Sequence, residues 1–220
     1  MLVDTHAHLC DPVFDRDRGP VLETAAQAGV GAVIAVGEDL DDARRNLELA
    51  HRHKSIRPAA GLYPTMLDLG MASALVDFIQ QNRSRLVAIG EVGLDYRFAE
   101  SAADRATQRA VFSRSIEAGR LLDLPLSVHV RSAGHYVLDL LGQQGCRRAV
   151  LHAFDGKAKY ARQGAEQSFY FSVPGTVLIS QQKRKLVRAL PLDRILLESD
   201  TPALSPDPHR PSEPAILARI

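Results

Sequence analysis

At 220 residues, with 45% hydrophobic and 24% charged side chains, the chain is long enough for one domain spanning residues 1–220 and too apolar to be disordered. A net charge of +1 argues against a protein that coats long stretches of nucleic acid, but leaves open one that acts at a single point along a strand. Two widely separated cysteines, Cys10 and Cys146, exclude a disulfide scaffold and suggest free thiols in a reducing, cytoplasmic setting.

No apolar run approaches the roughly 18 residues of a membrane span, and no basic segment followed by an apolar one marks a signal peptide. Leu2 and Val3 open a buried strand that ends in His6 and His8. Asp15 to Gly29 reads as a helix with Leu22, Ala25 and Ala26 on one face and Gly29 as its stop. Ala32–Val36 is a second strand, and Leu40, Ala43, Leu47 and Ala50 form a second helical stripe. Arg57 to Leu62 is a third strand, weakened by Pro58. Leu75, Phe78 and Ile79 mark a third helix, and Leu86–Gly90 a fourth strand.

Asp104 is placed to cap a long helix running to about Leu122. Leu126–Val128 begins the fifth strand, and Ser132 is placed to cap a helix carrying Val137, Leu138 and Leu141. Ala149–Leu151 is the sixth strand, Lys157–Gln167 a short helix, and Phe169–Val173 the seventh strand. Ser180 precedes a helix with Leu186, Val187 and Leu190, and Ile195–Leu197 is the eighth strand. Apolar strands alternating with amphipathic helices imply a parallel sheet covered by helices, and eight units predict a closed (β/α)8 TIM barrel. An open doubly wound sheet is the alternative, disfavoured because no glycine-rich phosphate loop follows the first strand. After Asp200 a proline-rich stretch runs from Pro202 to Pro214, leaving only Ala215 to Ile220 for an eighth covering helix. That helix is expected to be mostly absent, from a truncated chain or a flank covered by another molecule.

Six metal-capable side chains fall at the carboxyl ends of these strands: His6 and His8, Glu91, His129, His152 and Asp200. That end of a barrel is where active sites are assembled from several strands. His6 and His8, one residue apart on an extended chain, point the same way. Singly, each has an ordinary explanation: a hydrogen-bonded core histidine, a Glu91–Arg131 pair, a turn residue before Pro202. Together, four imidazoles and two carboxylates exceed what one tetrahedral ion needs and suit two divalent ions about 3.5–4 Å apart. Glu91 lies between the histidine groups and is the candidate bridge. Asp200 is the candidate to orient a water and take its proton. Arg131, two residues past His129, faces the same rim and is a candidate phosphate ligand.

The segments His6-x-His8, Gly90-Glu91-Val92-Gly93-Leu94-Asp95, His129-x-Arg131, His152-Ala153-Phe154-Asp155-Gly156 and Glu198-Ser199-Asp200-Thr201-Pro202 resemble the motifs of the TatD family. These are metal-dependent deoxyribonucleases of the amidohydrolase superfamily, and the resemblance covers essentially the whole chain. It implies a (β/α)8 barrel in which His6, His8, Glu91, His129, His152 and Asp200 bind two metals, with Glu91 bridging and Asp200 serving the nucleophilic water. It implies hydrolysis of DNA phosphodiesters, commonly by 3′-to-5′ exonuclease action on a single-stranded end, with two divalent ions such as Mg2+, Mn2+ or Zn2+.

Three departures stand out. Gly61-Leu62-Tyr63-Pro64 has tyrosine where the family usually has a phosphate-contacting histidine. Tyr63 still donates one hydrogen bond but carries no positive charge at neutral pH. Arg210-Pro211-Ser212-Glu213-Pro214 replaces an Arg-Asn-Glu-Pro pattern, and family members continue further with more helices. Two other functions compete: the same metals acting on a cyclic amide, lactone or phosphotriester, and non-catalytic metal or nucleic-acid binding. No second basic or aromatic cluster near the rim is evident. Lys183, Arg184, Lys185 and Arg188 read as a solvated helix face, and His51, His53 and His135 as surface residues. The sequence leaves the native metal, the polarity and the oligomeric state open.

Overall fold

Eight strands lie side by side in chain order, every adjacent pair parallel, in a computed structural model that describes all 220 residues. They are β1 (Leu2–Ala7), β2 (Val30–Ala35), β3 (Ile56–Ala60), β4 (Ala88–Asp95), β5 (Leu126–Arg131), β6 (Ala149–His152), β7 (Tyr170–Val173) and β8 (Ile195–Leu197). Seven helices cover them: α1 (Arg18–Gln27), α2 (Leu40–Arg52), α3 (Leu69–Gln81), α4 (Ala102–Leu122), α5 (Gly134–Gln143), α6 (Ala158–Glu166) and α7 (Gln181–Val187). This is the (β/α)8 barrel the alternation predicts. No helix is long and apolar enough to cross a membrane.

The ring closes where β8 returns to β1. Thr5 donates its hydroxyl to the Leu197 carbonyl at 2.9 Å. The Asp200 N–H reaches the His6 carbonyl at 3.0 Å, and the His8 N–H reaches Thr201 at 2.8 Å. Closure therefore uses the same residues that carry candidate ligands. One large apolar cluster joins β3–β7 to α3–α7, and a smaller one sits under α1 and α2.

Several local expectations are corrected. β4 does not end at Gly90 but continues to Asp95, because every one of its residues is buried and Val92 to Asp95 pair with β5. Gly93 makes that pairing possible: its φ is +147°, and a Cβ there would collide with the His129 carbonyl. β3 sits between two partners despite Pro58, whose carbonyl still accepts from the Val87 N–H at 3.0 Å. α4 is capped by Ser101, not Asp104. Ser101 accepts the Asp104 N–H at 3.0 Å while its hydroxyl donates to the Asp104 carboxylate at 2.7 Å, a reciprocal capping arrangement. Ser132 does not cap α5; it takes a left-handed φ of 56° and Ala133 holds the cap position.

The end of the chain is not a bare flank. Pro214–Arg219 forms a short 3-10 helix that packs on α1, β1 and β2. Leu217 is buried there among Ala7, Leu9, Leu22 and Ala25.

Candidate metal centre

Glu91 sits at the middle of the barrel's carboxyl end, and its two oxygens face opposite ways. Oε1 lies 2.7 Å from His129 Nδ1 and 3.0 Å from His152 Nε2. Oε2 lies 3.2 Å from His8 Nε2 and 3.5 Å from His6 Nε2. Asp200 Oδ1 joins the second half, 3.6 Å from His6 Nε2 and 3.8 Å from His8 Nε2. The six side chains named from the sequence thus meet at one point in two sets that share Glu91. His6 is on β1, Glu91 on β4, His129 on β5 and His152 on β6, while His8 and Asp200 sit just beyond β1 and β8. Asp200 takes a left-handed φ of 51°, a conformation aspartate tolerates better than most residues.

The fit to cations follows from the donors themselves. His6 Nε2 and His8 Nε2 are 3.3 Å apart, so two nitrogen lone pairs converge unless a proton or a cation lies between them. The groups His6–His8–Asp200 and Glu91–His129–His152 each bring one ligand atom per residue within 4.8 Å of the others. Imidazole and carboxylate together suit zinc-, manganese- or iron-like ions. The site could therefore hold metal.

The outer nitrogen of each histidine faces a second polar group, within hydrogen-bond distance only at His6. His6 Nδ1 lies 2.9 Å from the Ser127 hydroxyl. His152 Nδ1 faces Glu198 Oε2 at 3.6 Å, His129 Nε2 faces Asp95 Oδ2 at 3.5 Å, and His8 Nδ1 faces Glu38 Oε1 at 3.7 Å. Such outer partners set which nitrogen points at a metal and how basic it is. Glu198 is itself fixed by the Ala153 N–H at 2.8 Å and the Ser172 hydroxyl at 2.5 Å. Asp95 accepts the N–H groups of Arg97 at 2.9 Å and Phe98 at 3.0 Å.

Protonation follows this geometry. Burial pushes Glu91 upward, but the imidazoles of His152, His129 and His6 outweigh it and hold the carboxyl well below the usual range. Burial works against charge on His152 too, yet Glu91 and Glu198 raise it well above an ordinary histidine. His6 is lowered to about 4 by burial and then by the neighbouring charge of His152, onto which it stacks at 3.8 Å. Burial raises Asp200 to about 7, against the pull of His152. Asp4, beneath the site, is raised to about 7 by burial while its Oδ1 accepts the Ser199 N–H at 2.9 Å. The neighbouring carboxylates thus favour charge on His8, His129 and His152, while His6 favours the neutral form.

Of the two candidate substrate ligands, Tyr63 edges onto the His129 ring at 5.1 Å, half-buried at the margin of the site. Arg131, the last residue of β5, has its side chain 47% exposed and 3.9 Å from Asp95. Sequence reasoning named neither Asp95 nor Glu198 as a working residue, although both stand inside the quoted motifs. Ser127 carried a signal, two residues before His129 on the same strand face. Glu38 carried none beyond following β2. Lys183 is a correction: it is not part of a solvated face. Its ammonium group donates to the carbonyls of Ala153 and Phe154, and burial lowers its pKa.

Comparison with known proteins places the whole chain among relatives of one family. Residues 3–220 match the family model described as TatD related DNase. The chain is 41% identical to human Deoxyribonuclease TATDN3, over 97% of this chain and 82% of that protein. It is 33% identical to the uncharacterized metal-dependent hydrolase YabD of Bacillus subtilis, over 96% of this chain and 84% of that one. The crystal structure of the Escherichia coli TatD homologue YjjV superposes with a TM-score of 0.90 at 28% identity, covering 99% of this chain and 86% of that one.

Proposed function

The chain belongs to the TatD-related DNase family of metal-dependent hydrolases, and from that premise we propose that it removes nucleotides from the 3′ end of single-stranded DNA in the cytoplasm, using two divalent ions. The observation that carries this reading is the division of Glu91. One carboxylate serves two imidazoles on one oxygen and two imidazoles with Asp200 on the other. In this reading His6, His8 and Asp200 would hold one ion and His129 and His152 the other, with Glu91 available to both.

Divalent ions there would lower the pKa of a water and offset charge developing on the phosphate. The protein's own groups supply the rest. Asp200 Oδ1 or Oδ2 orients the attacking water and accepts its proton. Ser127 orients His6 through a hydrogen bond, and the carboxylates of Glu38, Asp95 and Glu198 facing His8, His129 and His152 raise the basicity of those rings. The Tyr63 hydroxyl donates one hydrogen bond to a non-bridging phosphate oxygen, and the exposed Arg131 fork binds a second. A neutral donor in place of an imidazolium weakens the pull on the phosphate without removing its orientation.

The test is digestion of a 5′-labelled single-stranded oligonucleotide with Mg2+ or Mn2+, repeated with a chelator. A ladder shortening from the 3′ end, abolished by the chelator, is the expected result. Asp200→Asn keeps at least one bound ion but abolishes turnover; unchanged turnover would remove Asp200 from the catalytic set. Metal bound at stoichiometry with no cleavage of any oligonucleotide would overturn the nuclease reading and favour another ester or amide substrate.

A further inference from the structure

The rim carries an aromatic cluster that the sequence does not announce. Tyr96 follows β4 directly, His135 and Tyr136 lie in the first turn of α5, and Tyr160 in the first turn of α6. All four stand on consecutive strand-to-helix connections, at the same end of the barrel as the metal centre. Their rings form a continuous row. Tyr96 and Tyr136 are 4.9 Å apart between centroids, Tyr136 and His135 3.8 Å, and His135 and Tyr160 5.4 Å.

The row begins beside the site. Tyr96 is bonded to Asp95, whose carboxylate faces His129, and its N–H donates to the Arg131 carbonyl at 2.9 Å. Tyr96 itself is buried and serves as a footing. The Arg109 guanidinium donates to its hydroxyl at 3.1 Å, and Arg105 lies 4.8 Å over its ring. Beyond it the row opens to solvent. Tyr136 is 40% exposed, and Phe98, in the same connection as Tyr96, is 52% exposed. Positive charge continues along it: Arg131 at the near end, and Lys159 4.6 Å over the Tyr160 ring at the far end. A cleft of about 270 Å³ lined by Lys157, Lys183 and Lys185 adjoins the start of α6.

Phe98 and Tyr136, exposed on two adjacent connections, and the half-buried His135 and Tyr160 beside them leave ring surface that is costly to keep in water unless something covers it. Rings interleaved with cations are the arrangement by which proteins hold unpaired bases: each base stacks on a ring while its phosphate meets a cation. We propose that Tyr136 and Tyr160, with His135 packed between them as a spacer, form a stacking track for the unpaired bases of a single strand whose terminal phosphodiester lies at Glu91. The inference rests on the nuclease reading above and gives it a physical basis for preferring single strands, since paired bases present no free faces.

The test compares the full-length protein with Tyr136→Leu, Tyr160→Leu and their double variant on three substrates: a long single-stranded oligonucleotide, a dinucleotide and a small aryl phosphodiester. Losing one stacking ring should raise KM for the long strand by about five- to a hundredfold, with kcat nearly retained. The dinucleotide and the aryl ester, too short to reach the track, should be turned over as by the unaltered protein, which also reports correct folding. Tyr136→Phe and Tyr160→Phe, which keep the rings, should restore the KM. An unchanged KM for the long strand in the double variant would overturn the track while leaving the nuclease reading intact. Failure of the unaltered protein to cleave any oligonucleotide while it hydrolyses the aryl ester would overturn both.

Discussion

Both oxygens of Glu91 are engaged, with imidazole nitrogens at 2.7 and 3.0 Å on one side and 3.2 and 3.5 Å on the other. Glu91→Ala should therefore lose metal and activity together, with turnover falling by roughly three orders of magnitude or more. Metal analysis of the purified variant beside an oligonucleotide assay checks this, and full activity would sink the bridging role. Glu198 makes a subtler case. It touches no substrate, but its charge lies 3.6 Å behind His152, and it is pinned by Ala153 and Ser172. Glu198→Gln keeps the shape and an acceptor for the Ala153 N–H while removing that charge. The apparent metal affinity should fall by about ten- to a hundredfold, and kcat should recover at saturating metal. A merely structural role would instead lower activity equally at every metal concentration.

At the scale of elements, the last residues of the chain do more than their sequence suggests. Pro214–Arg219 looked too short for an eighth cover, and it makes only a 3-10 helix. Yet Leu217 is 2% exposed against β1, β2 and α1. Leu217→Ala should cost about 2–4 kcal/mol in urea unfolding, with activity per folded molecule preserved. A loss below about 0.5 kcal/mol would show that the segment merely rests on the barrel. The same contrast runs through the fold. Strand and helix alternation was legible because apolar runs and 3.6-residue stripes are local signals. The six candidate ligands stand out in the sequence because each follows such a run. The full length of β4 is not legible because its glycines and carboxylates look like loop chemistry, whereas burial on both faces keeps them in the sheet. Glu38 and the row Tyr96–Tyr136–His135–Tyr160 stayed hidden, because only the barrel brings such residues together, from positions as far apart as 96 and 160.

For the whole molecule, the candidate ligands come from five different places around the ring, and two of them guard its seam. His8 donates its backbone N–H to Thr201, and Asp200 donates its own to His6. A metal held by His6, His8 and Asp200 would then bind only the closed barrel, because an opened seam separates β1 from β8. Anything that binds the native state alone stabilises it by mass action, about 2.7 kcal/mol at a hundredfold excess over Kd. For a chain of this size that corresponds to a rise in Tm of roughly 5–10 °C. Scanning calorimetry of chelated protein, titrated with Mn2+ or Zn2+, should show this rise. Glu91→Ala should start from its own baseline and respond little. Proteolysis of the chelated protein should begin near residues 199–201 and be suppressed by metal, since those residues lose their partners when the seam opens. If bound metal left Tm unchanged, the site would have to survive in the opened chain, and closure of the ring could not be what assembles it.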